Sequence, residues 1–353
     1  MTIKHLVIAG GGPIGLQFMG AIEHLNKTGF WLRENIESIY ATSIGTFIGT
    51  FICLNYDWDT INKYIIDRPW NDVFKLNGKQ IMDSFYLKGL YNKKIFEITF
   101  KPLLEAKDLT INTTLKELYE YSNIEFHLYT FEQNKFEVVD LSYKTHPDLP
   151  LVQAIFMSCA IPGLFVPTII DDGCYIDGGV MANYPLSYCI DNITRKNESL
   201  IDSYKTDSNE KEPKDELEQA NITDEILGIT FYKDFSKPDP LNNNNINDNS
   251  SVLEFAIGFF INAMNYICKN LKRHTIKYQL ECKNDGAFFT FDIMKEAVNN
   301  KELRRKWIEQ GYDDAILFIE NLKINIGTTQ VTQTNQTTQK VIKGETIREY
   351  WFP

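Results

Sequence analysis

The order of apolar and polar positions changes period twice within the first stretch of the chain. Leu6-Val7-Ile8-Ala9 is a short, unbroken apolar run, as in a strand buried on both faces. Gly10 to Pro13 breaks it. Leu16, Met19, Ile22 and Leu25 then recur every three residues, which sets them on one face of a helix, and Gly29 closes that helix. A second strand fits Ser38 to Ala41, and it too ends in a sharp turn, before an apolar helix from Ile44 to Leu54. Two such strand–turn–helix units, about fifty residues in all, predict an α/β fold with a mostly parallel central sheet flanked by helices.

Further along, residues 57–107 mix aromatics and charges and read as helical in pieces. Strand patterns return at residues 124–130 and 136–141, and again at Ile226 to Tyr232. Residues 151–160 read as a buried helix stopped by Pro162-Gly163, and Tyr175-Ile176 as a short strand ending at Asp177-Gly178-Gly179. The most apolar long stretch, residues 252–267, carries Glu254, Asn262 and Asn265 and is too short to span a bilayer comfortably. It reads first as a buried helix and second as an interfacial one. Residues 195–221 and 241–251 are too polar to form core, and so is the Thr/Gln tract at 327–339. Strands lie on both sides of the polar stretches, so the expected organisation is one domain over residues 1–325 with insertions at about 195–221 and 241–251, and a loose polar tail over 326–353.

Composition narrows the partners. With 353 residues, 43% hydrophobic and 24% charged, the chain can bury a sizeable core. A net charge of -11 and a pI near 5.1 argue against a nucleic-acid partner. The six cysteines form no C-x-x-C pair and sit mostly in apolar runs, as buried thiols rather than disulfides or metal ligands. The opening residues lack a signal-peptide core and lead straight into a strand, so the expected location is cytoplasmic, peripheral to membranes at most.

The candidate chemistry starts at Gly10-Gly11-Gly12-Pro13-Ile14-Gly15. Gly10, Gly12 and Gly15 satisfy G-x-G-x-x-G between a strand and a helix, the context of a dinucleotide site. Such a site wants an acid at the end of the second strand. Here that strand ends in Ala41-Thr42-Ser43-Ile44-Gly45, a nucleophile-elbow pattern with Ala41 in place of its first glycine. Turns after neighbouring parallel strands open at one sheet edge, so amides of the glycine turn can face a carbonyl attacked by Ser43. The N-terminus of the following helix favours negative charge there. None of His5, His24, His127, His146 and His274 has the neighbourhood of a base. Asp177, at a strand end before two glycines, is the better candidate, although Asp-Gly-Gly alone is usually only a turn.

Taken in order, G-G-G-x-x-G, A-x-S-x-G and D-G-G resemble the patatin-like phospholipase family. Ser158-Cys159-Ala160-Ile161-Pro162, Asn183-Tyr184-Pro185 and Gly311-Tyr312 with Ala315 extend the resemblance over roughly Lys4 to Leu322, and the Asn-rich insertions are similar in style to giant-virus members. The resemblance implies a three-layer patatin-like architecture and a serine–aspartate dyad without histidine. Ser43 matches the nucleophile and Asp177 the base. Gly10, Gly11 and Gly12 match the oxyanion hole, supported by Gly15, Ala41, Gly45, Gly178 and Gly179. It implies hydrolysis of acyl esters in phospholipids or other acyl lipids, with no metal or cofactor and with transient contact to a membrane surface. Two stretches suit that contact: residues 95–100 as a cover for the cleft, and 252–277, with an apolar half and a basic half; core packing is the competing reading of both. Ile14 departs from the family, which commonly has Arg or Lys there. A non-catalytic lipid-binding module and, behind it, a nucleotide-binding oxidoreductase are the alternatives.

Overall fold

The computed structural model describes residues 2–204, 223–232, 246–248, 250–270, 274–283 and 291–346. Strand β1 (His5–Ile8) passes through a 3-10 turn at Gly12–Gly15 into helix α1 (Leu16–Lys27), and β2 (Ser38–Thr42) passes into α2 (Ile44–Cys53). Then come α3 (Trp58–Asp67), α4 (Trp70–Val73), α5 (Gly78–Leu87), β3 (Gly89–Tyr91), α6 (Lys94–Glu105) and α7 (Leu115–Ser122). The middle of the chain supplies β4 (Glu125–Glu132), β5 (Glu137–Leu141), α8 (Leu151–Ser158), β6 (Gly163–Phe165), β7 (Thr168–Ile170), β8 (Gly173–Asp177), α9 (Gly179–Ala182) and α10 (Leu186–Tyr204). Last are β9 (Ile226–Phe231), α11 (Val252–Asn270), β10 (Tyr278–Cys282), α12 (Phe291–Asn299) and α13 (Lys301–Thr346).

Among the described residues one sheet of eight strands runs β10-β9-β1-β2-β4-β8-β7, with β5 on the other edge of β4, while β3 and β6 form a separate ribbon. The pairs from β10 across to β4 are parallel, and β5, β8 and β7 join antiparallel. The fold is therefore α/β with a mostly parallel sheet between helices, as the apolar runs predict. β1 and β2 are buried along their whole length, which explains why they read as continuous runs rather than alternating ones. The main hydrophobic core takes in Ile3, Ile8, Ile39, Leu128, Ile229, Leu280 and Ala315, so strands from both ends of the chain share it. The cysteines at 53, 159, 174, 189 and 282 are free thiols.

Three expectations shift. Residues 195–204 continue α10 rather than starting a loop, while 205–221, 241–245 and 249 lie outside the described residues. α13 runs on through the Thr/Gln tract to Thr346, an extension of the helix that 301–322 nucleates and one that the low helix propensity of Thr does not predict. The stretch 252–267 does form a helix, but not a buried one: Val252, Phe255, Phe259 and Tyr266 of α11 are exposed. Its inward side is satisfied by Phe260 and Ile267 packing on Phe131, Ile176 and Val180, and Val252, Phe255 and Phe259 face away from that cluster. Residues 95–100, by contrast, lie in α6 with Ile95, Phe96, Thr99 and Phe100 buried.

Candidate active site

The site is laid out by one strand. β2 pairs with β4 in parallel up to Thr42↔Tyr129, and β8 takes over the same edge of β4 in antiparallel sense at Thr130↔Asp177. β5 occupies the opposite edge of β4 over Leu128–Glu132, so β2 and β8 must share one side. Ser43 follows Thr42 directly. The serine and the aspartate, far apart in sequence, are thus delivered to neighbouring rungs of β4. Their side chains meet: Ser43 Oγ donates to Asp177 Oδ2 at 2.7 Å.

Ser43 sits at φ 53°, ψ -124°, a conformation that L residues avoid and that costs about 1–3 kcal/mol. Hydrogen bonds on both sides hold it. Its N–H donates to Ser158 Oγ at 3.0 Å, and Ser158 in turn donates to Tyr129 O at 2.6 Å. Its carbonyl accepts from Thr46 N at 2.8 Å and from Thr46 Oγ1 at 2.6 Å. Gly45 lets α2 start hard against β1, since a Cβ there would stand 2.5 Å from Ile8 O. Ala41 is fully buried in the core between these strands. Ser158 and Thr46 are supports that no spacing in the sequence announces, because each acts through a backbone group brought near only by folding.

Asp177 is buried, and its Oδ1 accepts from Gly179 N at 2.7 Å. Burial pushes its carboxyl up to about 7, against the hydrogen bonds from Gly179 and Ser43 that favour the charged form. Cys159 lies close by, and burial together with the Asp177 charge keeps its thiol protonated.

The glycine turn comes within reach of Ser43: a Cβ on Gly10 would stand 3.2 Å from the Ser43 Cβ. Gly12 has φ 56°, which favours glycine. Gly15 lies against Ile44, and Ile14 is buried in the core, where a lysine or arginine would be desolvated. One expectation is corrected. Gly10 does not have a free amide to offer an oxyanion, because its N–H donates to Asn183 O at 2.8 Å. The turn is pinned there to the segment following Asp177, and Asn183 Nδ2 also donates to Gly10 O at 3.3 Å.

A cavity of about 150 Å³ opens at Ser43. Gly12, Phe47, Trp70, Phe96, Phe165 and Met294 are among its walls, and they are almost wholly apolar. An apolar pocket of this size takes a hydrocarbon group about as large as benzene. Arg304 closes one side; its Nη1 donates to the carbonyls of Ala297 and Val298 and its Nη2 to that of Ile66.

No histidine among the described residues lines this cavity. His5 and His127 belong to a second, polar cavity of about 400 Å³ at the opposite edge, where β1, β2 and β4 begin. His127 Nδ1 lies 2.8 Å from Asp140 Oδ2, its Nε2 is 3.8 Å from Glu125, and its ring stacks on Tyr40. Lys144 bonds Glu125 at 2.9 Å, and Lys196 stands 3.7 Å from it. His127 beside it, then Lys144, pull the Glu125 carboxyl down to about 2. Burial would lower His127, but Asp140 and Glu125 outweigh it and raise its pKa. His5, hydrogen-bonded to Ser38 at 2.7 Å, is pushed down to about 4 by burial.

The arrangement is that of an α/β protein built around a buried serine–aspartate pair beneath a glycine-rich turn. The Patatin-like phospholipase family profile matches residues 6–190, and the chain belongs to that family. It is similar to the "Probable lipid hydrolase 463L" of Invertebrate iridescent virus 6, 25% identical over 203 residues, 56% of this chain and 67% of the relative. It is likewise similar to the "Uncharacterized protein R571" of Acanthamoeba polyphaga mimivirus, 25% identical over 195 residues, which are 55% of this chain and 63% of that protein. The match thus spans a little under two thirds of the length of R571. Among solved structures, VipD from Legionella pneumophila aligns with a TM-score of 0.44 at 16% identity, covering 91% of this chain and 67% of VipD.

Proposed function

We propose that the chain is a serine acyl-ester hydrolase acting on phospholipids or other acyl lipids. The observation that carries this reading is the 2.7 Å bond from Ser43 Oγ to a carboxyl pushed up to about 7, at the mouth of an apolar cavity. Ionised Asp177 takes the Ser43 proton as Oγ attacks the acyl carbonyl carbon. The amides of Gly11 and Gly12 and the N-terminus of α2 stabilise the oxyanion of the tetrahedral intermediate; the Gly10 amide, bonded to Asn183, serves to hold the turn. Collapse breaks the ester C–O bond, and Asp177 returns its proton to the leaving alcohol. Asp177 then draws a proton from water, which attacks the acyl-enzyme, and the fatty acid leaves with Ser43 restored. The acyl chain lies along Phe47, Phe96 and Phe165. No step calls for a metal or cofactor.

The strained turn at Ser43 favours this reading over a non-catalytic lipid-binding module, since binding alone gives no reason to hold a serine at φ 53°. The test is acyl release from phospholipid vesicles and from short p-nitrophenyl esters, with Ser43→Ala and Asp177→Asn beside the wild type. Activity lost in both variants is expected. Full activity in either one would overturn the dyad.

A further inference from the structure

Helix α5 buries none of its ten residues, yet it carries Ile81, Met82, Phe85, Tyr86 and Leu87. Met82, Phe85 and Tyr86 are 73%, 76% and 85% exposed. The helix is specified locally, by an Asn77–Gln80 capping box at its start and by Lys88 at φ 66° at its end. Single exposed hydrophobics are ordinary, but five on one helix, none of them buried, are not. α11 shows the same feature, with Val252, Phe255 and Phe259 exposed at i, i+3 and i+7 spacing.

These two helices flank one ribbon. α5 packs on β3, α11 packs on β6, and β3 pairs with β6 so that Tyr91 lies opposite Phe165. Phe165 is a wall of the cavity at Ser43. The ribbon that both helices adjoin therefore reaches the apolar wall beside the serine. The charge around α5 also runs against the rest of the chain. Residues 74–94 hold Lys75, Lys79, Lys88, Lys93 and Lys94 with Asp83 as their one acid, a local charge of +4 in a chain of -11.

We infer that α5 and α11 form a docking surface for an anionic bilayer, which presents the cavity at Ser43 to lipid. The inference rests on the lipid-hydrolase reading above and names the surface that reading needs. Phe85, Tyr86, Met82 and Phe259 enter the headgroup–acyl boundary, and Lys75, Lys79 and Lys88 meet the lipid phosphates, while Lys93 is paired with Glu97 at 3.3 Å. Elsewhere the acidic surface is repelled by such a membrane, so charge selects this orientation. The lysines also favour a bilayer over a second copy of the chain, because a two-fold contact through α5 would set like charges against each other.

The experiment is vesicle co-sedimentation of full-length Ser43→Ala protein, which leaves the lipid intact. Phosphatidylcholine vesicles with and without phosphatidylglycerol are the probes. A Met82→Ser/Phe85→Ser/Tyr86→Ser variant should lose roughly tenfold or more of its vesicle binding. Lys75→Glu/Lys79→Glu/Lys88→Glu should lose binding to anionic vesicles only, and added salt should mimic it. With Ser43 intact, both sets of substitutions should leave hydrolysis of a soluble p-nitrophenyl ester unchanged, which also reports that the protein is folded. Undiminished vesicle binding by the apolar triple variant would overturn the inference. So would a parent that is dimeric in solution and becomes monomeric in that variant with no loss of vesicle binding. A wild type inert on the soluble ester, with vesicle binding following the expected pattern, would instead sink the hydrolase reading and leave the surface standing.

Discussion

Two carboxylates, Asp177 and Glu125, sit at opposite ends of the same sheet and behave in opposite ways. Asp177 is answered by an amide and a hydroxyl, and burial pushes it up to about 7. Glu125 is answered by His127, Lys144 and Lys196, and falls to about 2. The contrast shows how differently His127 and Asp177 are placed to exchange a proton. His127 has a carboxylate on each side and is held in a charged cluster, whereas Asp177 is isolated in an apolar setting where a proton is easily taken up and given back. At one end charge pairing makes a structural knot. At the other its absence makes a group that can work as a base.

The largest effects should come from removing the isolated pair. Ser43→Ala and Asp177→Asn are each expected to lower kcat for ester hydrolysis by at least about 10³-fold. Asp177→Asn also separates function from stability. The folded carboxyl is raised from 3.8 to about 7, so the native state holds its proton more tightly than the unfolded chain does. Stability contributed by Asp177 is thus present below pH 4 and lost as pH rises through 7. The Asn variant should be more stable than wild type at pH 8 by roughly 2–4 kcal/mol, with the difference gone near pH 4. Urea unfolding at the two pH values checks this; a variant less stable at pH 8 would break the contrast.

On the proposed mechanism the same raised carboxyl should set the activity profile. kcat/KM should rise through about pH 7 as Asp177 ionises, and a profile governed by a group near 4 would contradict the isolation argument. A smaller loss is expected from Ser158→Ala, which strands the Ser43 N–H and loosens the strained turn: about tenfold in kcat, with KM little changed.

At the paired end the expectation is reversed. Asp140→Asn should cost about 1–3 kcal/mol of stability while leaving kcat at the wild-type value. His127 has a raised pKa, so its contribution is complete below pH 6.5 and fades as pH climbs through the raised value; the cost of Asp140→Asn should fade with it. An effect of similar size, confined to acid, is expected from Glu125→Gln. The depressed Glu125 contributes stability above about pH 4.5 that is lost as pH falls towards 2, and the variant should flatten that acid limb by roughly 1–3 kcal/mol.

Ser43 and Asp177 were legible in the sequence because each closes an apolar strand at a turn flanked by small residues, where chain segments must pass close together. The parallel sheet was legible for the same reason, since β1 and β2 read as unbroken apolar runs. The occupied amide of Gly10 was not, because its partner Asn183 lies 173 residues away and acts through its backbone oxygen. The Asp140–His127 pair was hidden in a hairpin whose alternation shows faces but not partners. β3, β6 and β7 span three residues each, too short to set a period. The exposure of α11 was misread because periodicity marks apolar positions along a helix and says nothing of what, if anything, stands opposite them.

The pairing of β2 and β8 along one edge of β4 has a consequence for how such a chain can change. The two groups are spaced by the pitch of a shared template, not by the length of chain that joins them. Loops that join the elements between residues 43 and 177, or that follow them, can be lengthened, trimmed or replaced without resetting the distance from hydroxyl to carboxylate. A one-residue insertion inside β4 would be ruinous where a long insertion in a surface loop is tolerated. The polar stretches near 195–221 and 241–251 both fall where that freedom holds.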